Sequence, residues 1–161
     1  MQELYIDSVD CRYGERHVLN GVYLSCKLGE RVGLLGRNGS GKSTLLKVIF
    51  GSLTAHHKHM RINDQVVPIG FLSNQIAYLP QGFFILHYLK IKTLVALYAH
   101  RYRTQLLQIE VIKENQHKRI GYLSGGERRL VEALLIIHSD APYVLLDEPF
   151  SQLAPLIADE L

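Results

Sequence analysis

Cysteine is scarce: this chain of 161 residues has two, Cys11 and Cys26. They match no metal-ligand spacing, and a domain of this size needs no disulfide staple, so reduced thiols are expected. Long apolar runs are missing too. The longest uncharged apolar stretch, near residues 94–99, falls far short of the roughly 20 residues that span a bilayer. The start, Met1-Gln2-Glu3-Leu4-Tyr5, lacks the basic region and apolar core of a secretory signal, so none is expected. Any membrane role must then come through a partner. Charge imbalance is slight, with 18 basic against 15 acidic side chains and a net charge of +3. The densest basic segment, residues 113–119, is interrupted by Glu114, Asn115 and Gln116 and reads as a solvated helix face or loop. No nucleic-acid partner is expected. His56, His57 and His59 lie in a polar stretch without Cys, Asp or Glu, which indicates a surface loop rather than a metal site.

What remains is a globular composition sized for one domain, with room for two lobes sharing a core. Up to Gly33 the pattern is β-like, with Leu4 and Ile6, then Val22, Leu24, Cys26 and Leu28, alternating with polar neighbours between turn signals at Gly14, Gly21 and Gly29. This predicts an antiparallel lobe. Val32-Gly33-Leu34-Leu35 is a continuous apolar run, as in a parallel strand covered on both faces. A helix over 43–50 should follow, capped by Gly51. Residues 52–63 read as a polar loop, 76–79 as a second short strand, and 82–119 as helical. In that helical part Leu86, Leu89, Leu94, Leu97, Leu106, Leu107 and Val111 are candidate core positions. A further helix carrying Leu130, Ala133, Leu134 and Ile137 leads into the strand Tyr143-Val144-Leu145-Leu146.

Gly36-Arg37-Asn38-Gly39-Ser40-Gly41-Lys42-Ser43, followed by Thr44, fits the phosphate-binding pattern G-x-x-x-x-G-K-[ST] in its expected strand-to-helix context. Glycines let successive N–H groups converge on one anion, and the helix start adds its positive end. Lys42 supplies a charge to the β and γ phosphates, and the Ser43 hydroxyl is suited to Mg²⁺. ATP and Mg²⁺ are therefore the expected ligands. Residues 143–148 resemble a Walker B element, with Asp147 placed at a strand end near the metal shell. Glu148 follows, positioned to polarise a water for attack on the γ phosphate.

A third motif, Leu123-Ser124-Gly125-Gly126-Glu127, lies between these two, and with it the chain resembles the ATP-binding cassette proteins. The resemblance implies an α/β fold: a P-loop NTPase core with a mostly parallel sheet, an N-terminal antiparallel β lobe and an inserted helical lobe. The corresponding segments are 1–81 and 120–161 for β lobe and core, and 82–119 for the helical lobe. It also implies that Ser124, Gly125, Gly126 and Glu127 meet the γ phosphate of ATP held by a second copy or homologous subunit in a head-to-tail dimer. Glu127 stands where many members have Gln. Gln81, after Tyr78-Leu79-Pro80, resembles the glutamine that senses Mg²⁺ and the γ phosphate, and Tyr13 resembles the aromatic that stacks on adenine.

The implied function is that of the nucleotide-binding subunit of a transporter, coupling ATP hydrolysis to movement in transmembrane permease partners. It would be cytoplasmic, peripheral to the inner face of the cell membrane. A soluble family member acting on ribosomes or DNA is the alternative. Ser124 lies 82 positions beyond Lys42, which leaves no room for the long coiled-coil insertions of chromosome and repair ATPases. A regulatory nucleotide-binding remnant is a third reading, because two family features are missing. Ala154 follows Ser151-Gln152-Leu153 where most members have an aspartate, and nothing after Glu148 matches the switch histidine; His138 precedes Asp147. A fragment of a longer protein is the expectation from these departures, with ATP binding a firmer expectation than turnover.

Overall fold

The computed structural model describes residues 2–150. Two strands open the chain, β1 (Glu3–Tyr13) and β2 (Arg16–Lys27), paired antiparallel through a tight turn at Gly14, whose φ is 57°. Leu4 and Ile6 point inward, and the alternation then breaks. Ser8 takes the left-handed conformation at φ 53° with its N–H on the Asp7 carboxylate, and the register with β2 shifts there. This extra residue returns Val9 and Cys11 to the buried face. The loop expected over residues 52–63 is in part a strand, β3 (His57–Ile62), antiparallel to β1, with β4 (Gln65–Val66) beyond it. The sheet order is β2-β1-β3-β4. Polar His57 and His59 alternate with Met60 and Ile62, which are buried, so the strand has one wet face and one dry face. A composition count registers only the wet one.

Helix α1 (Lys42–Phe50) buries Leu45, Leu46, Val48 and Ile49, and ends at Gly51 in the left-handed conformation. Lys58 of β3 donates its ammonium to the Val48 carbonyl, and burial lowers its pKa. Residues 32–35 do not form the expected strand. They have no ladder partner among the described residues, and Leu35 is 97% exposed. An apolar run states what a segment can bury when strands flank both its edges, not that the flanks are present.

These elements belong to a first compact unit ending at Ala77; a second begins at Tyr78. Strand β5 (Ile76–Leu79) pairs in parallel with β6 (Tyr143–Leu146). Between them lie α2 (Ile91–Tyr98), α3 (Arg103–Leu106), α4 (Glu110–Asn115) and α5 (Gly125–Ile137). Their core joins Ile91, Leu94, Leu106, Ile112 and Ile120 to Leu130 and Leu134 of α5. Leu86 and Leu97, also expected inside, are 55% and 68% exposed, because helical spacing fixes a face only after the helix limits are known. Leu94→Ala is therefore expected to cost about 3 kcal/mol, whereas Leu97→Ala should stay within about 0.5 kcal/mol. Urea unfolding of the two variants checks this, and equal losses would contradict the placement.

Candidate functional site

In the first unit, the loop over residues 36–41 curls through glycines with φ of 78° at Gly39 and 98° at Gly41. A side chain at Gly41 would press on the Val18 carbonyl at 3.0 Å and on Leu19 at 2.9 Å, so β2 sets the height of the loop and only glycine fits. A Cβ at Gly36 would sit 2.6 Å from the Ser40 hydroxyl. Helix α1 starts at Gly41 with no side-chain cap, which leaves the helix start suited to an anion. Lys42 bends back over the loop, its ammonium 2.8 Å from the Gly36 carbonyl and 3.1 Å from that of Arg37. The amine is thus held at the carbonyls that open the loop. Tyr13, at the end of β1, is 55% exposed, so its ring face is open for stacking.

In the second unit, the carboxyl ends of β5 and β6 lie side by side, and the Asp147 N–H continues their pairing by donating to the Leu79 carbonyl at 3.0 Å. Asp147 is buried, and one of its oxygens accepts from the Tyr78 phenol at 3.1 Å. Burial, reinforced by that carboxylate, raises the Tyr78 pKa, so the phenol stays a proton donor across the physiological range. Glu148, exposed, has its backbone in the left-handed conformation at φ 49°. Its carboxylate accepts from the Gln81 side-chain amide at 2.8 Å. The two strand ends that the sequence singled out separately are therefore joined by a direct bond.

At the start of α5, Ser124 and Glu127 form a reciprocal cap. The Glu127 carboxylate accepts from the Ser124 N–H at 2.8 Å and from its hydroxyl at 2.6 Å, and the Glu127 N–H donates to the Ser124 hydroxyl oxygen at 3.3 Å. The Ser124 hydroxyl and backbone hold the Glu127 carboxyl below its ordinary pKa. Any other acceptor for the Ser124 hydroxyl has to displace this carboxylate.

Three residues of α5 escaped the sequence reading. Arg129 is fully buried: Nη1 donates to the Pro80 carbonyl at 2.7 Å, Nη2 to Asp147 at 3.2 Å and Glu148 at 3.3 Å, and Nε to Pro149 at 3.2 Å. Arg128 donates to the Ile85 carbonyl at 2.6 Å and lies 4.4 Å from the centroid of the Phe83 ring. Glu132, fully buried, accepts from Arg128 and from the Ile85 N–H at 3.3 Å, and burial raises its pKa. The available signal was the presence of Arg129 and Glu132 beside the apolar positions 130, 131, 133 and 134. Among the described residues no His, Cys, Asp and Glu cluster forms a metal site, and His56, His57 and His59 are exposed. The hydroxyl of Ser43, the carboxylate of Asp147 and the amide oxygen of Gln81 are instead hard oxygen donors of the kind Mg²⁺ takes beside phosphates.

Comparison with known proteins shows the family. A family model described as ABC transporter matches residues 19–151. The high-affinity branched-chain amino acid transport ATP-binding protein BraG of Pseudomonas aeruginosa is 30% identical, over 98% of this chain and 73% of that protein. The lipopolysaccharide export system ATP-binding protein LptB of Escherichia coli is 33% identical, over 89% of this chain and 66% of that protein. A solved ATP-binding cassette of an ABC transporter superposes with a TM-score of 0.79 at 22% identity, covering 99% of this chain and 74% of that one.

Removing the cap hydroxyl, Ser124→Ala, should cost about 1 kcal/mol at neutral pH. Because the folded pKa of Glu127 lies below its unfolded value of about 4.3, its share of the cap is complete above that pH and is lost as pH falls through the folded value. Urea titrations at pH 7 and near pH 3 should show the penalty shrinking in acid; a pH-independent penalty would contradict the reciprocal cap.

Proposed function

The chain belongs to the ABC transporter family of ATP-binding proteins, whose members are ATPases, and from that premise we propose that it is the Mg-ATP-binding subunit of a membrane transporter. The observation that carries the reading is the joining of Gln81 to Glu148 at the ends of β5 and β6, beside buried Asp147, in a chain with an intact phosphate loop. Each group has a role that its surroundings suit. Tyr13 stacks on adenine. The 36–44 loop, with Arg37, Asn38, Ser40 and Thr44 between its glycines and the helix start, wraps the phosphates, and Lys42 exchanges its two loop carbonyls for phosphate oxygens. Ser43, Gln81 and Asp147 are the donors for Mg²⁺, which when bound neutralises charge on the β and γ phosphates.

Glu148 acts as general base toward the attacking water, and Gln81 orients its carboxylate. Exposure of Glu148 gives that carboxylate access to a water. Ser124, Gly125, Gly126 and Glu127 serve the nucleotide of a second subunit, so the working form is a head-to-tail dimer with a copy or homologue. No described helix is long and apolar enough to cross a membrane; transmembrane permease subunits supply the path and hold the chain at the cytoplasmic face. The relatives' names are those of transport proteins, which supports transport over action on ribosomes or DNA.

Lys42→Ala should weaken Mg-ATP binding about 30-fold, the worth of one charge-assisted contact, in a titration with a fluorescent ATP analogue; an unchanged Kd would remove the loop assignment. Glu148→Gln should accumulate an ATP-bound dimer on size exclusion, and Ser124→Arg should abolish that dimer while the monomer still binds ATP. Normal turnover in Glu148→Gln would sink its role as base.

A further inference from the structure

Arg129 has no role among those assigned above, yet its planar guanidinium touches the backbone at both strand ends. One arm holds the Pro80 carbonyl, one residue before Gln81, and the other holds the carbonyls of Asp147 and Glu148. Glu148 sits at φ 49°, a left-handed conformation that residues with a side chain adopt only when their surroundings hold them there. The Asp147 and Glu148 carbonyls belong to the two peptide planes that flank the Glu148 Cα, and the mutual orientation of those planes is its φ and ψ; holding both therefore sets the direction in which the Glu148 side chain leaves the chain. That carboxylate then meets Gln81 at 2.8 Å.

We infer that Arg129 is the positioning residue for the Gln81–Glu148 pair: it sets the backbone of both partners from one rigid group and holds Glu148 in its left-handed conformation. Guanidinium geometry is essential to this. A lysine ammonium is a single point with tetrahedral donors and cannot serve carbonyls on both strands in one plane. Arg128, its neighbour, ties the same loop further along, at Phe83 and Ile85. The stretch holding Gln81 is therefore fastened on both sides to α5, whose first residue follows Ser124. The catalytic consequence rests on the reading of Glu148 as base.

The test uses the whole chain labelled with ¹⁵N, with the Gln81 side-chain amide assigned through Gln81→Asn. Donation to a carboxylate shifts that amide downfield. Glu148→Ala should return it to the position of a solvated amide, and Arg129→Lys should do the same with Glu148 still present. ATP turnover of Arg129→Lys, measured in parallel, should fall at least about tenfold in kcat with KM for ATP within about twofold, as expected for a misplaced catalytic group. A Gln81 signal in Arg129→Lys identical to that of the unmodified protein overturns the inference, as does an unchanged signal in Glu148→Ala, which would mean the pair does not form.

If Arg129→Lys moves the signal while Glu148→Gln hydrolyses ATP normally, the positioning stands and the assignment of the base fails. Should Arg129→Lys not fold, the unmodified protein decides. Its Arg129 guanidinium nitrogens should give separate, slowly exchanging signals when the fork is held on both strands, and one averaged signal would refute it.

Discussion

A single buried guanidinium organises the second unit. Moving an arginine out of water is costly, and burial weighs against the Arg129 charge, with Glu132 and Asp147 countering. What makes the position tenable is that three of its nitrogens find four carbonyls. Those carbonyls lie within reach of one guanidinium because β5 and β6 run parallel and end together, so their last peptide groups leave the ladder at the same level. Buried donors and carbonyl acceptors are matched in one place. An apolar side chain of similar volume would fill the space and make none of these bonds.

The same group ties local structure to chemistry. Parallel strands place their functional side chains at the carboxyl edge, in the turns that follow the last ladder bond. Turns are normally the loosest part of a fold. Here the turn after β5 and the turn after β6 share one clamp, and that clamp stands on a helix whose core face includes Leu130, Val131, Leu134 and Leu135, all buried. Rigidity made by apolar packing is thereby passed to polar residues that must stay wet. Glu132 does the complementary job on the other side of the loop, through Arg128 and the Ile85 N–H.

Much of this was legible in the sequence, and the rest was hidden for identifiable reasons. Strands β5 and β6 were readable to the residue because each is a short apolar run stopped by a turn signal, Pro80-Gln81 in one case and Asp147-Glu148-Pro149 in the other. The loop over 36–41 was readable because glycine spacing and one lysine admit few alternatives. Residues 32–35 carry as apolar a run, yet they pair with nothing among the described residues, since pairing is a property of the neighbours. His57 and His59 concealed a strand because the eye follows polarity, and a strand with one wet face is half polar by construction. Arg129 was the least legible: in sequence it is one more charge after Glu127 and Arg128, and only the fold shows that its helical position turns it inward.

Each half of the proposed chemistry has a brace inside its own unit. The phosphate loop is braced by its own unit: Gly41 rests against Val18 and Leu19, and Lys42 holds the Gly36 and Arg37 carbonyls. The carboxylates in turn are set by Tyr78, Gln81 and Arg129. Both braces bring a cationic side chain onto main-chain carbonyls, Lys42 in the first unit and Arg129 in the second, so each fixes the path of its turn through groups that every residue carries, whatever side chains the turn presents.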